Sequence, residues 1–216
     1  MNPNVTAFVI RNIDPEGKSI LEVGSRNVNG SVRQAIESMN PSSYTGVDIE
    51  AGPGVDEVCS VYDIGSQFPP QSFDIVICCE VMEHVKDWRK AINEMKNVLK
   101  IGGNLFVTTV DKGFPYHGYP MDFWRFSKED FNYIFRDMRI LTIEEDLPRQ
   151  GIYMKAERRP IIGIEYNIKL YSILLKMRTD QTPNLHWLYG LYLKRRIRKL
   201  AVTVTPRWIK NIIKKI

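Results

Sequence analysis

The sequence predicts an α/β fold, a doubly wound sheet of seven strands followed by a basic helical extension. Three observations predict it. Short apolar runs alternate with helical patterns from Ser19 to Glu157. The stretch Ser19 to Gly30, SILEVGSRNVNG, reads as strand, turn, helix, with Gly24 as the residue that lets the chain turn and leaves no side chain in a ligand's way. Acids end three successive runs, at Glu22, Asp48 and Asp63. Ligand crevices of open α/β sheets lie at those ends.

The elements follow in order. Val5 to Ile13 is an apolar patch in a polar segment and reads as a covering helix. Asp14-Pro15-x-Gly17 is a turn into the first strand. Residues 31–39 place Val32, Ala35, Ile36 and Met39 on one helix face, with Ser31 as cap. Tyr44 to Asp48 and Val58 to Tyr62 are the second and third strands, separated by a Gly/Pro loop. Phe73 to Cys79 is apolar throughout and so is a central strand. A helix from Asp87 to Lys100 turns Trp88, Ala91, Ile92, Met95, Val98 and Leu99 inward, and Gly102-Gly103 is expected to end it. Asn104 to Val110 is the fifth strand. Ser127-Lys128-Glu129-Asp130 opens a helix in near capping-box form. Arg139 to Glu145 and Ile152 to Glu157 complete the set.

The pattern Glu22-x-Gly24, then Asp48, Asp63 and FDIVICCEVMEHV resembles the class I S-adenosylmethionine-dependent methyltransferases, small-molecule "type 11"-like members included, from about Ser19 to Arg158. The resemblance implies a Rossmann-like, mostly parallel sheet whose last strand, 152–157, is antiparallel. It implies S-adenosyl-L-methionine as cofactor. Glu22 would meet its ammonium, Gly24 and Ser25 its amino acid moiety, Asp48 with the following Ile49 its ribose, and Asp63 its adenine amino group. Glu80 and Val81 would line the other side. Arg26 stands where many members have a second glycine, so the turn is shaped differently. G-x-G-x-x-G is absent, which argues against a dinucleotide.

The loop after the fifth strand, Gly113 to Phe126, carries His117, Asp122 and Arg125 among aromatics. A hydroxyl acceptor must lose its proton during attack. His117 is the candidate base, because packing gives no reason for an imidazole in a Gly/Pro-flanked loop, and Asp122 would orient it. Phe123, Trp124 and Phe126 are expected to pack beneath, with Arg125 tying the loop down. His84 either contacts cofactor or substrate, or bonds backbone at a helix start.

Composition sets the remaining bounds. Hydrophobic residues make up 44% and charged residues 25%, as in globular proteins. Cys59, Cys78 and Cys79 read as reduced, buried thiols, which points to the cytoplasm. No Cys/His spacing suggests zinc, and no metal site is assigned. Neither a signal peptide nor a membrane span is expected. Residues 181–216 hold nine Lys and Arg and no acid, whereas residues 1–180 hold 21 against 25 acids. The expected division is a methyltransferase domain at 1–159 and a basic, amphipathic extension at 160–216. Pro206 to Ile216 sets Trp208, Ile209, Ile212, Ile213 and Ile216 opposite Lys210, Lys214 and Lys215. This reads as a peripheral membrane element or as a face docking on the domain or a second subunit. Nucleic acid ranks lower, because the domain is acidic.

The expected activity is O-methylation of a saccharide or glycolipid acceptor, since the YHGYPxDFWRF loop resembles that of relatives in glycan pathways. A quinone-like or other lipidic acceptor is the alternative that EVMEHV favours. A non-catalytic cofactor-binding scaffold at a membrane is the alternative from another class.

Overall fold

The structure is a computed structural model that describes residues 2–118, 121–160, 163–181 and 190. Helix α1 (Pro3–Asn12) begins with the Asn2 side chain accepting from the Asn4 N–H. The chain continues through β1 (Ser19–Val23), α2 (Arg33–Glu37), β2 (Ser43–Asp48), β3 (Glu57–Val58), α3 (Ile64–Gln67) and β4 (Phe73–Cys79). A 3-10 turn (Met82–His84), α4 (Trp88–Val98) and β5 (Leu99–Val110) follow. Next come β6 (Trp124–Arg125), α5 (Lys128–Ile134), β7 (Arg139–Asp146), β8 (Gly151–Glu157), β9 (Leu170–Ser172) and β10 (Met177–Thr179).

The main sheet has the order β3-β2-β1-β4-β5-β8-β7. Neighbouring strands from β3 to β5 are parallel, while β8 runs antiparallel to both β5 and β7. That is the reversed strand expected at 152–157. Strand order turns back between β1 and β4, so the switch-point crevice opens where those two strands end.

The core explains the strand reading. Phe73, Ile75, Ile77 and Cys79 alternate along β4 with Val76 and Cys78, and all six are buried. On one face Val5, Phe8 and Val9 of α1 pack with Val32 and Ile36 of α2 against Ile20, Ile75, Ile77 and Phe106. Helix α4 buries Trp88, Ala91, Ile92, Met95 and Val98, as its spacing requires. Its Asp87 cap accepts from the Lys90 N–H at 3.1 Å. The Ser127/Asp130 capping box is present in full. The three cysteines are free and buried.

The structure changes three expectations. Gly102 and Gly103 do not end α4: β5 begins at Leu99 and runs through them, with Gly102 in a left-handed conformation (φ +79). The third strand shrinks to Glu57–Val58, and the chain turns before Asp63. The compact unit ends at Asp180, not Arg159. Strand β9 pairs with β6, and Arg178 pairs with Asp130 at 2.8 Å. The buried Lys96 donates to Tyr166 Oη at 3.1 Å and to Asp137 at 2.6 Å. Residues 170–172 and 177–179 are therefore strand, not helix. The expected helix at 206–216 lies outside the described residues. Among the described residues no helix is long and apolar enough to cross a membrane.

Candidate active site

The turn after β1 is built by hydrogen bonds to β2. Gly24 and Ser25 donate their N–H groups to the Val47 carbonyl at 2.8 and 3.1 Å. Gly24 has φ +76, and a Cβ there would lie 2.2 Å from Val81 Cγ2. The site thus requires glycine both for its backbone and for the close approach of the β4 turn. The loop at 49–54 folds over the turn, with Asn27 N–H on the Pro53 carbonyl at 2.7 Å. Arg26, the departure from the glycine pattern, pairs with Glu50 and lies along Gly52.

Glu22 is buried and accepts from Tyr44 Oη at 2.8 Å. Burial pushes its carboxyl up to about 7, and the Tyr44 hydrogen bond only partly opposes that. Ser25 is buried with no hydrogen-bond partner for its hydroxyl. Asp48 accepts from the N–H groups of Arg26 and Glu50 at 3.3 and 3.1 Å and is half-buried. Ile49 beside it is exposed. Asp63 sits at the start of α3 with its side chain 65% exposed and Lys90 4.0 Å away. Glu80 adopts a left-handed φ of +55, and burial raises its carboxyl above the usual range. Strain of this kind costs about 1–3 kcal/mol and collects at functional sites.

The turn at 80–84 joins this half of the crevice to the other. Val81 touches Gly24, and Glu83 and His84 face His117. The loop at 121–124 is sewn to that turn. His84 Nδ1 contacts the Met121 carbonyl at 2.6 Å, Phe123 N–H donates to the Glu83 carbonyl at 2.8 Å, and Trp124 Nε1 donates to the Val85 carbonyl at 3.1 Å. Of the two alternatives for His84, the backbone contact is present, and its ring lies 4.9 Å from that of His117.

Asp122 and Arg125 are fully buried and joined by two hydrogen bonds of 2.5 and 2.7 Å. Arg125 also donates to the Phe114 and Pro115 carbonyls at 3.0 and 2.8 Å, which ties the loop down. Phe123, Trp124 and Phe126 are buried beneath it. His117 Nδ1 lies 3.1 Å from Asp122 Oδ2, and the same oxygen accepts the His117 N–H at 2.9 Å. Asp122, then Glu83, raise the imidazole to about 9 against the opposing effect of burial. Burial likewise opposes charge on Asp122, but Arg125 and His117 outweigh it and hold that carboxyl well below its ordinary value. Glu83 is the site residue that sequence reasoning missed. The available signal was its position three residues after Glu80 and next to His84. Glu83, His84 and His117 each bring one polar atom to within 4.8 Å of the others.

A sheet of this order, with a glycine turn and buried acid at its switch point and a carboxylate-held histidine beside it, is that of the class I S-adenosylmethionine-dependent methyltransferases. A family model described as a methyltransferase domain matches residues 3–151, and the chain belongs to that family. The chain is 28% identical over 126 residues to the ubiquinone biosynthesis O-methyltransferase of Idiomarina loihiensis, covering 52% of this chain and 51% of that protein. The chain spans about half the length of the curated relatives it matches. The crystal structure of the [4+2]-cyclase SpnF aligns with a TM-score of 0.58 at 17% identity, over 72% of this chain and 81% of that one. The 1,6-didemethyltoxoflavin N1-methyltransferase of Burkholderia thailandensis, solved with its acceptor and S-adenosylhomocysteine, aligns with a TM-score of 0.57 at 12% identity. That match covers 73% of this chain and 77% of that one. These two likenesses bear on the fold alone.

The residues fit the cofactor. The orphaned Ser25 hydroxyl and the buried Glu22 suit the amino acid end of such a group, and the half-buried Asp48 at the end of β2 suits a ribose. Gly24→Ala should destabilise the fold by about 1–3 kcal/mol through overpacking and backbone strain. Combined with Val81→Ala, the loss should be smaller than the sum of the two single losses by about 1 kcal/mol, as read by denaturant unfolding. Strict additivity would mean that the turn moves away from Val81.

Proposed function

We propose that this methyltransferase transfers a methyl group to the hydroxyl of an aromatic, quinone-precursor-like acceptor, with His117 as general base. The observation that carries the reading is the His117 ring, fixed on Asp122 at the crevice edge and raised to about 9. A phenolic proton, with an ordinary pKa of about 10, is well matched to such a base, whereas an aliphatic alcohol is far less acidic. The naming of relatives as ubiquinone biosynthesis O-methyltransferases supports the same class. A cleft of about 400 Å³ lined by Asn2, Glu80, Phe114, Pro115 and Arg149 opens beside the site and offers the acceptor an entrance.

S-adenosylmethionine supplies the methyl group on a sulfonium centre. In this reading Glu22 takes its ammonium, the Gly24-Ser25 turn lies along its amino acid moiety, Asp48 with Ile49 meets its ribose, and Asp63 its adenine. Glu80 and Val81 bound the opposite wall. The acceptor hydroxyl sits against His117 Nε2, which takes its proton as the new bond forms, while Asp122 holds the ring.

A saccharide acceptor is the second reading. The exposed Tyr116 beside His117 favours it, as a ring on which a sugar could stack. The basic segment 206–216 belongs to the same proposal as a peripheral membrane anchor for a lipidic acceptor, on its sequence pattern alone. Deleting it should abolish co-sedimentation with anionic vesicles. Unchanged sedimentation would assign the apolar face to protein docking.

Cofactor affinity should depend on Glu22. Its carboxyl is protonated below about 7, and only the carboxylate attracts an ammonium. The calorimetric Kd should therefore be about tenfold weaker at pH 6 than at pH 8, and Glu22→Gln should remove that dependence. A flat wild-type profile would take Glu22 out of the site.

Turnover should depend on His117. Below pH 9 the imidazole is protonated and cannot accept a proton, so the rate should rise about tenfold per pH unit towards 9 and then level. His117→Ala should reduce the rate by about 100-fold or more and leave cofactor Kd unchanged. Incorporation of labelled methyl into 3,4-dihydroxybenzoate and into a methyl glycoside, measured side by side, separates the two acceptor readings. A variant that keeps the wild-type rate and pH limb would remove His117 from the chemistry.

A further inference from the structure

The carboxylate of Glu83 has no place in the cofactor set above. It is fully buried at the mouth of the crevice. Its Oε2 accepts from Thr109 Oγ1 at 2.8 Å. Its Oε1 has no hydrogen-bond partner, yet it lies 3.6 Å from His117 Nε2 and 4.0 Å from His84 Nε2. A buried carboxylate oxygen without a donor is costly unless positive charge stands close by. His117 is where that charge can reside, because its other nitrogen already faces Asp122 at 3.1 Å.

Asp122 is a shared acid: both of its oxygens accept from Arg125, which is fixed and always charged, while Oδ2 also faces His117. Glu83 is the second acid at the imidazole, at its other nitrogen. The other groups around the ring are these. The His84 ring stands edge-on at 4.9 Å with Nδ1 engaged at the Met121 carbonyl. Phe114 stands edge-on at 4.9 Å from the other side. Thr109 faces Glu83 from β5, and Glu80 at the end of β4 adds a further acid.

We propose that Glu83 is a positioning residue: it supplies a second counter-charge for His117 beside Asp122 and keeps Nε2 turned towards the turn after β4. The proposal rests on the reading of His117 as the base. Asp122 first and Glu83 second raise the proton affinity of the ring, so Glu83 acts on the acceptor only through His117.

Heteronuclear NMR of the full chain with 13C-labelled histidine tests this without any acceptor. The chain has three histidines, at 84, 117 and 186, and the signal lost in His117→Gln assigns the one of interest. In the wild type His117 should titrate near 9. In Glu83→Gln, which keeps the side-chain volume and an oxygen for Thr109, its proton affinity should fall tenfold or more. A merely structural role for Glu83 would leave that titration unmoved, and an unmoved titration overturns the proposal. A wild-type His117 titrating at the ordinary value overturns it as well, even if the variant does not fold. Calorimetry with S-adenosylmethionine on the wild type is read separately: failure there bears on the methyltransferase site and leaves the Glu83 result standing.

Discussion

The active half of this molecule depends on one buried ion pair, Asp122 with Arg125. Neither side chain reaches solvent, and two short hydrogen bonds join them. Two charges this deep are tolerated only because every strong group is used. Arg125 spends its remaining donors on the Phe114, Pro115 and Trp124 carbonyls, so that one guanidinium closes the loop after β5. Asp122 turns its second oxygen to both nitrogens that His117 offers on that side, backbone and ring. Removing either partner would strand a charge, at a cost of about 3–5 kcal/mol. The pair thereby ties residues 114–117 to residues 122–125.

The crevice shows the opposite balance on its cofactor side. Burial raises Glu22 to about 7 and also raises Glu80, and nearby positive groups do not offset it. Desolvated acids of this kind raise the free energy of the empty site and lower it when a cation arrives. S-adenosylmethionine carries two positive groups, an ammonium and a sulfonium. The wall's electrostatics therefore suit the cofactor before any single contact is considered. The left-handed backbone at Glu80 and the tight Gly24–Val81 approach belong to the same economy of space between β1 and β4.

The segment from Gly163 to Asp180 binds β6, which follows the loop that carries His117, to the rest of the domain. Strand β9 lies between β6 and β10, and β6 carries Trp124 and Arg125. Arg89 donates to the Ile168 carbonyl at 3.0 Å, and Tyr166 packs on Trp88 as well as receiving Lys96. Helix α4, the second sheet and the loop holding His117 thus share their supports. A change in one is felt at His117 through hydrogen-bonded parts.

The sequence by itself determined the sheet and its ligand edge. Local signals were strong there: the apolar run Phe73 to Cys79 matches β4 residue for residue, the Ser127 box caps α5, and Glu22 and Asp48 lie at the ends of β1 and β2, whereas Asp63 follows no strand directly and starts α3. Gly24 could be read as a turn because only a residue without a side chain serves there. Other features depended on contacts between residues distant in sequence, which local pattern does not carry. Gly102-Gly103 looked like a helix stop, yet pairing with β4 and β8 drew that segment towards the sheet. The apolar run after Pro160 looked helical, but pairing between β6 and β9 made part of it strand. Glu83 looked like one acid among several in EVMEHV. Only the fold sets it 3.6 Å from a histidine 34 positions further along, because β4 and β5 lie side by side and the loop beyond β5 folds back over the turn beyond β4.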